Sequence, residues 1–171
     1  MQRQGITYQN LTKDSKGFTL IELLVVIAII GILVAIILAS LSSSRLKSAD
    51  AGIQSELLHA RNQIELYYAA NGNYGTALFT AGQCNATTTG TVFKNDTKVQ
   101  AILNNAGYIS NGTDLTRGNC VLTGTSIATS WAISMPLKTN SIYFWCVDSI
   151  GASRQVQPSG GDLGFSGGAC K

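Results

Sequence analysis

Charge is scarce in this sequence. Only 12% of its 171 residues are Asp, Glu, Lys or Arg, about half the ~25% of an average soluble domain. There is a single histidine, His59, so a catalytic or metal-binding histidine would have no second one beside it. None of the four cysteines stands in a C-x-x-C pair, which argues against zinc-ribbon and thioredoxin-type redox chemistry. Basic residues exceed acidic ones by 12 to 9 without forming a basic run, so a phosphate-tracking nucleic-acid surface is not indicated. Hydrophobic residues are ordinary in number at 45%, and low charge beside ordinary apolar content means segregation along the chain. The length fits one domain, or one domain with an appendage.

The segregation is plain. Residues 20–39 contain one charge, Glu22, and no proline, whereas past about residue 70 the chain is rich in Gly, Thr, Ser and Asn. This excludes a uniformly soluble globule, a polytopic membrane protein and a disordered chain. Twenty helical residues rise ~30 Å, the thickness of a bilayer core. A cleaved secretory signal has a shorter apolar stretch; on hydropathy alone an uncleaved signal anchor fits as well as anything else. Arg3, Lys13 and Lys16 precede the run and Arg45 and Lys47 follow it, so the Lys/Arg bias that sets orientation is weak. Glu22 is the informative residue, because a carboxylate within an apolar helix is costly. Two positions inside the run, it either snorkels to the interface or awaits a positive partner.

The segment KGFTLIELLVVIAIIGILVAII, residues 16–37, resembles the class III signal of type IV prepilins and of the pseudopilins of type II secretion. Lys16 and Gly17 resemble the residues before the cut, Phe18 the first mature residue and Glu22 the family's acidic residue; Gly31 falls where many members have glycine. The resemblance implies that a prepilin peptidase cleaves between Gly17 and Phe18 and methylates the new Phe18 amine. It implies further that the helices of many copies pack into a filament, where the Phe18 ammonium of one subunit would meet Glu22 of a neighbour. Both charges are expensive to bury alone and tolerable together. One departure stands out: Ala39 occupies the place where many members carry a kinking proline, so the kink is in doubt here. An acidic residue at the position of Glu22 favours a subunit of the filament body, since tip subunits of the family more often lack it.

Beyond the apolar run, Leu46, Ile53, Ala60 and Tyr67 recur at sevens, with Leu57 and Ile64 between them, an amphipathic helical stripe. Asn71-Gly72-Asn73 ends the pattern. A helix over residues 18–70 would be about 80 Å long, a length suited to a stalk that packs on other copies through its first half and on its own head through its second. The expected organisation is therefore a cleaved leader (1–17), a transmembrane and filament-core helix (18–41), its amphipathic continuation (42–71) and a head (72–171). The fold class is α+β: a long N-terminal helix packed on a small antiparallel sheet. Residues 76–128 carry little pattern beyond one short helix, with Thr97 as N-cap, Val99, Ile102, Leu103 and Ala106 on one face and Gly107 at C′. Residues 127–136 alternate, Trp131, Ile133 and Met135 against Ala132 and Ser134, and pair with 141–148 as a hairpin. A third strand is expected over 153–157, then a Gly-rich loop.

The cysteines Cys84, Cys120, Cys146 and Cys170 all follow the apolar run, on the outer side if the signal is real, where disulfides persist. Three pairings are possible. Cys84–Cys120 with Cys146–Cys170 is favoured because the second bond would pin the Gly-rich tail to a strand, and a disulfide-bonded C-terminal loop is a habit of the family. No catalytic residues are assigned. Gly164-Phe165-Ser166-Gly167-Gly168 matches G-x-S-x-G but lacks the helix that a nucleophile elbow requires, and His59 is expected on the helix surface. A calcium role for Asn71 and Asn73 is disfavoured by the absence of carboxylates there, and three N-x-T sequons (Asn85, Asn95, Asn111) are attributed to composition. The expectation is a non-enzymatic structural subunit of a type IV pilus or similar filament, without cofactor or metal. Its partners would be copies of itself, prepilin peptidase, the assembly machinery and the cytoplasmic membrane. It would sit there as a single-pass protein with its head outside before entering an extracellular or periplasmic filament. The alternatives are a pseudopilin of a secretion or DNA-uptake machine, the one setting in which nucleic acid enters, and a monomeric membrane-anchored binding module.

Overall fold

The computed structural model describes residues 17–84, 88–112, 118–158 and 163–171. The expected leader, Gly17 apart, and the sequon at Asn85 lie outside them. The chain divides into two compact units, Met1–Ser40 and Leu41–Lys171, and helix α1 (Leu20–Asn71) begins in the first and ends in the second.

In the first unit α1 buries no large apolar side chain among the described residues. Its large apolar side chains are all exposed, from Phe18 through Leu20 and Val26 to Leu38. Many are Ile or Val, β-branched residues that form helices poorly in water. In lipid the balance changes, because only intrahelical hydrogen bonds satisfy the backbone there. By length and composition this segment, with a mean hydropathy of 3.3, suffices to cross a membrane.

In the second unit α1 packs on a five-stranded antiparallel meander, β1 (Phe79–Gln83), β2 (Asn119–Gly124), β3 (Ala128–Pro136), β4 (Phe144–Asp148) and β5 (Ser153–Val156), in spatial order β1-β2-β3-β4-β5. Between β1 and β2 run α2 (Val92–Asn95) and α3 (Thr97–Asn111). A small second hairpin, β6 (Phe165–Ser166) and β7 (Ala169–Cys170), closes the chain. The main core joins Ile53, Leu57, Ala60 and Ile64 of α1 to Val99, Leu103 and Ala106 of α3 and to Trp131, Ile133 and Met135 of β3. The opposite sheet face carries a second cluster, Val121, Ala132, Cys146 and Val156, covered by Phe165 and Cys170. Alternation along β3 thus divides one strand between two cores.

Several boundaries differ from those read in the sequence. The α3 cap is Asp96, not Thr97: its carboxylate accepts from Lys98 N at 2.8 Å and Val99 N at 3.0 Å, and Thr97 becomes the first helical residue. Gly107 does not end this helix. It lies buried within it beside Ala106, and the helix runs on to Gly112, which holds the left-handed φ of +78° that a C-cap favours. Strand β4 begins at Phe144 rather than 141, because residues 137–143 form a loop closed by Leu137 N to Tyr143 O at 2.9 Å and Tyr143 N to Asn140 O at 3.0 Å. Strand β5 stops at Val156, one residue early, and part of the expected terminal loop is the β6–β7 hairpin. Strands β1 and β2 and helix α2 lie within residues 76–128, where the sequence shows little pattern.

Candidate functional site

At the start of α1, Thr19 and Glu22 bond reciprocally. Thr19 donates to Glu22 Oε2 from its backbone N–H at 2.9 Å and from its hydroxyl at 2.8 Å, and Glu22 N donates to Thr19 Oγ1 at 3.3 Å. This is a capping box, which satisfies N–H groups that no preceding turn can reach. The sequence carries the signal as Thr-x-x-Glu ahead of an apolar run. The carboxylate thus sits at the positive end of the helix dipole. Both protein contacts fall on Oε2, which leaves Oε1 open among the described residues. Phe18 is 87% exposed, and Gly17, Phe18 and Thr19 precede the helix in extended or irregular backbone. Glycines 17 and 31 have open space where a Cβ would stand, so nothing among the described residues requires a glycine at either place.

Three charged residues of the second half of α1, Asp50, Arg61 and Glu65, bind the head. Asp50 is buried and takes the backbone N–H groups of Lys138 and Thr139 and the Thr139 hydroxyl. Glu65 accepts from the Trp131 indole at 3.2 Å and from the Tyr74 hydroxyl at 3.0 Å. Arg61 donates to the carbonyl of Ala152, in the β4–β5 turn, at 2.5 Å. Burial, then the Glu65 hydrogen bond and charge, push the Tyr74 hydroxyl up to about 12. At Asp96 burial pulls upward, but hydrogen bonds from Gln63, Val99 and Lys98 outweigh it and hold the carboxyl below its ordinary value.

The structure joins Cys84 to Cys120, with Cα atoms 4.9 Å apart, and Cys146 to Cys170, 5.9 Å apart. The second bond anchors the terminal hairpin, helped by Cys170 N donating to the buried Asp148 at 2.8 Å and Ser134 Oγ donating to Leu163 O at 3.0 Å. Gly168, with φ +84°, lets the hairpin lie on the sheet, since a Cβ there would stand 2.7 Å from Ser130 Oγ.

The other residues singled out in the sequence are not brought together. His59 lies exposed on α1. Ser166 is on β6 and is followed by a turn and β7, not a helix. Asn73 uses its side chain locally, accepting from Gly75 N at 2.9 Å and donating to Asn71 O at 3.1 Å. Among the described residues no group of three or more His, Cys, Asp and Glu could hold a metal ion.

Comparison with known proteins bears on the apolar end. Residues 12–38 match the model of the prokaryotic N-terminal methylation motif. The chain is 42% identical over 62 residues to the type IV wide pilus major component PilA4 of Thermus thermophilus, 36% of this chain and 47% of that protein. It is 32% identical over 65 residues to the type II secretion system core protein G of Escherichia coli, 38% of this chain and 45% of that one. The chain spans less than half the length of these curated relatives. No solved structure matches it.

Proposed function

We propose that this chain is a member of the type IV pilin and type II secretion pseudopilin family and a structural subunit of a pilus or pilus-like filament. The observation that carries the reading is the methylation motif at residues 12–38, which runs into a helix whose apolar side chains there are left exposed among the described residues. Cleavage after Gly17 frees an ammonium on Phe18 directly before the capping box. Glu22 Oε2 holds its own helix end, and the open Oε1 receives the Phe18 ammonium of another copy. The pair acts as a register device: a subunit seated one turn out leaves two charges buried and unmatched. The subunit waits in the membrane with its disulfide-bonded head outside and contributes no chemistry of its own.

Mass spectrometry of the mature N-terminus tests the first step. Wild-type protein starts at N-methylated Phe18, and Gly17→Leu leaves full-length precursor in the membrane. A wild-type start anywhere else overturns the reading. The similarity to core protein G keeps a second reading open, a pseudopilin acting within a secretion or DNA-uptake machine. Deletion separates the two: loss of a visible surface fibre supports the pilus, and loss of secretion or transformation with fibres intact supports the pseudopilin. A monomeric membrane-anchored binding module would show neither processing at Gly17 nor oligomers.

A further inference from the structure

One end of the head collects cations and an apolar tip. Arg45 and Lys47 are exposed on α1, six and eight residues past Ala39. Asp50, one turn beyond Lys47, holds the backbone of Lys138 and Thr139 and so fixes the loop 137–143 against this end of the helix. Lys138 is exposed in that loop, and Ile142 at its tip is 53% exposed. Between Glu22 and Glu56 the only acid is Asp50, and loop donors occupy both its oxygens. The β4–β5 turn is held elsewhere. It carries Ile150, 75% exposed, and bonds to Arg61, eleven residues or ~16 Å further along α1.

Lysines and arginines close to a span on its translocated side work against the usual orientation bias. The leader offsets them with Arg3, Lys13 and Lys16 against Asp14, and cleavage removes that offset. Positive charge at this place therefore has no use in topology, whereas it complements phosphate at a membrane surface, with Lys stems and Ile142 reaching the acyl boundary. We propose that Lys47, Lys138 and Ile142, with Arg45 at the same level of the helix, form a docking surface for anionic phospholipid headgroups that holds the head on the membrane before assembly. The proposal rests on residues 20–39 spanning the membrane. The short chain between Ala39 and Lys47 keeps the patch near the headgroups whatever path the intervening residues take.

The test uses the full chain with labelled isoleucine methyls in nanodiscs, and paramagnetic lipids tagged either at the headgroup or in the acyl chain. With ~30% phosphatidylglycerol, headgroup label should attenuate Ile142 at least about threefold more than Ile150. That ratio should fall toward one in pure phosphatidylcholine, in ~0.5 M NaCl, where screening is short, and in Lys47→Gln/Lys138→Gln. Unchanged Ile150 and Ile133 shifts verify that this variant is folded. A ratio near one, or one indifferent to lipid charge, salt and the two lysines, overturns the proposal. Acyl-chain label acting on Ile29 and Ile36 reports the span separately: without that signal the membrane reading fails as well, and with it only the docking surface fails.

Discussion

The two halves of α1 solve opposite problems with one backbone. From Leu20 to Leu38 the described side chains are apolar on every side and exposed, and the single carboxylate is used at the helix end. From Ile53 to Ile64 the apolar residues form one buried stripe, and Asp50, Arg61 and Glu65 each hold a named group of the head. A helix amphipathic toward its own domain is complete as a monomer. One apolar all round is not, and needs lipid or other copies of itself. On the proposed function, the first half carries the contacts for assembly and the second half the contacts for folding.

The sharpest way to break this division is at Glu22. Glu22→Gln retains the capping box, because Gln serves at that position as well as Glu, and removes only the charge. We expect normal insertion and cleavage at Phe18 with filament yield in shear fractions down at least about tenfold, since each added subunit would bury an unpaired ammonium. Wild-type yield would leave the capping box as the whole role of Glu22.

The same substitution made in each half comes next. Leu57→Ala opens a cavity in a fully buried site and should cost the head roughly 2–5 kcal/mol, seen as a drop of about 10 °C or more in its near-UV thermal transition. Leu33→Ala, exposed in the first unit, should move that transition by no more than about 0.5 kcal/mol and reduce filament yield instead. Equal shifts in the head transition would dissolve the comparison.

What the sequence revealed follows from where the apolar residues sit. Ile53, Leu57, Ala60 and Ile64 show their period because α1 buries one face. Trp131, Ile133 and Met135 alternate with Ala132 and Ser134, although both faces of β3 are buried, because the two sides differ in residue size and polarity. Strand β2 shows no such period: Asn119, Cys120, Val121 and Leu122 are all buried, so polar and apolar residues do not sort by face. Strand β1 is a bulged, largely exposed edge, and α2 is only four residues long, too short for a helical period. Glu65 could not be linked to Trp131 from sequence, since the contact spans 66 positions. The Thr19–Glu22 box is legible from its Thr-x-x-Glu spacing.

Within the head, the two disulfides offer a smaller contrast. Cys170→Ser should cost about 3 kcal/mol and free the β6–β7 hairpin, giving faster amide exchange at Phe165 and at position 170, while the Cys84–Cys120 bond stays intact in non-reducing peptide maps. Uniform loosening of the whole sheet would show that the hairpin is part of the core rather than a cover on it.

The smallest effect lies at the junction of α1 with the sheet, where Tyr74 donates to Glu65. Burial and the adjacent carboxylate hold the Tyr74 hydroxyl protonated up to about 12, against about 10 in an unfolded chain. A pKa raised on folding contributes stability that is fully present below the unfolded value and is lost as pH rises through the folded one. From pH 7 to about 10 the head should therefore show no change traceable to this residue. Between about 10 and 12 unfolded chains lose the proton while folded ones retain it, and stability should fall by at most roughly 2–3 kcal/mol. Tyr74→Phe removes the titrating group and leaves Glu65 with Trp131 as a donor. Its head should be somewhat less stable at neutral pH, with a flatter decline above pH 10. Urea midpoints measured across that range on both proteins decide the matter: parallel curves would mean that Tyr74 titrates alike folded and unfolded, and that the contact with Glu65 is too loose to discriminate the two protonation states.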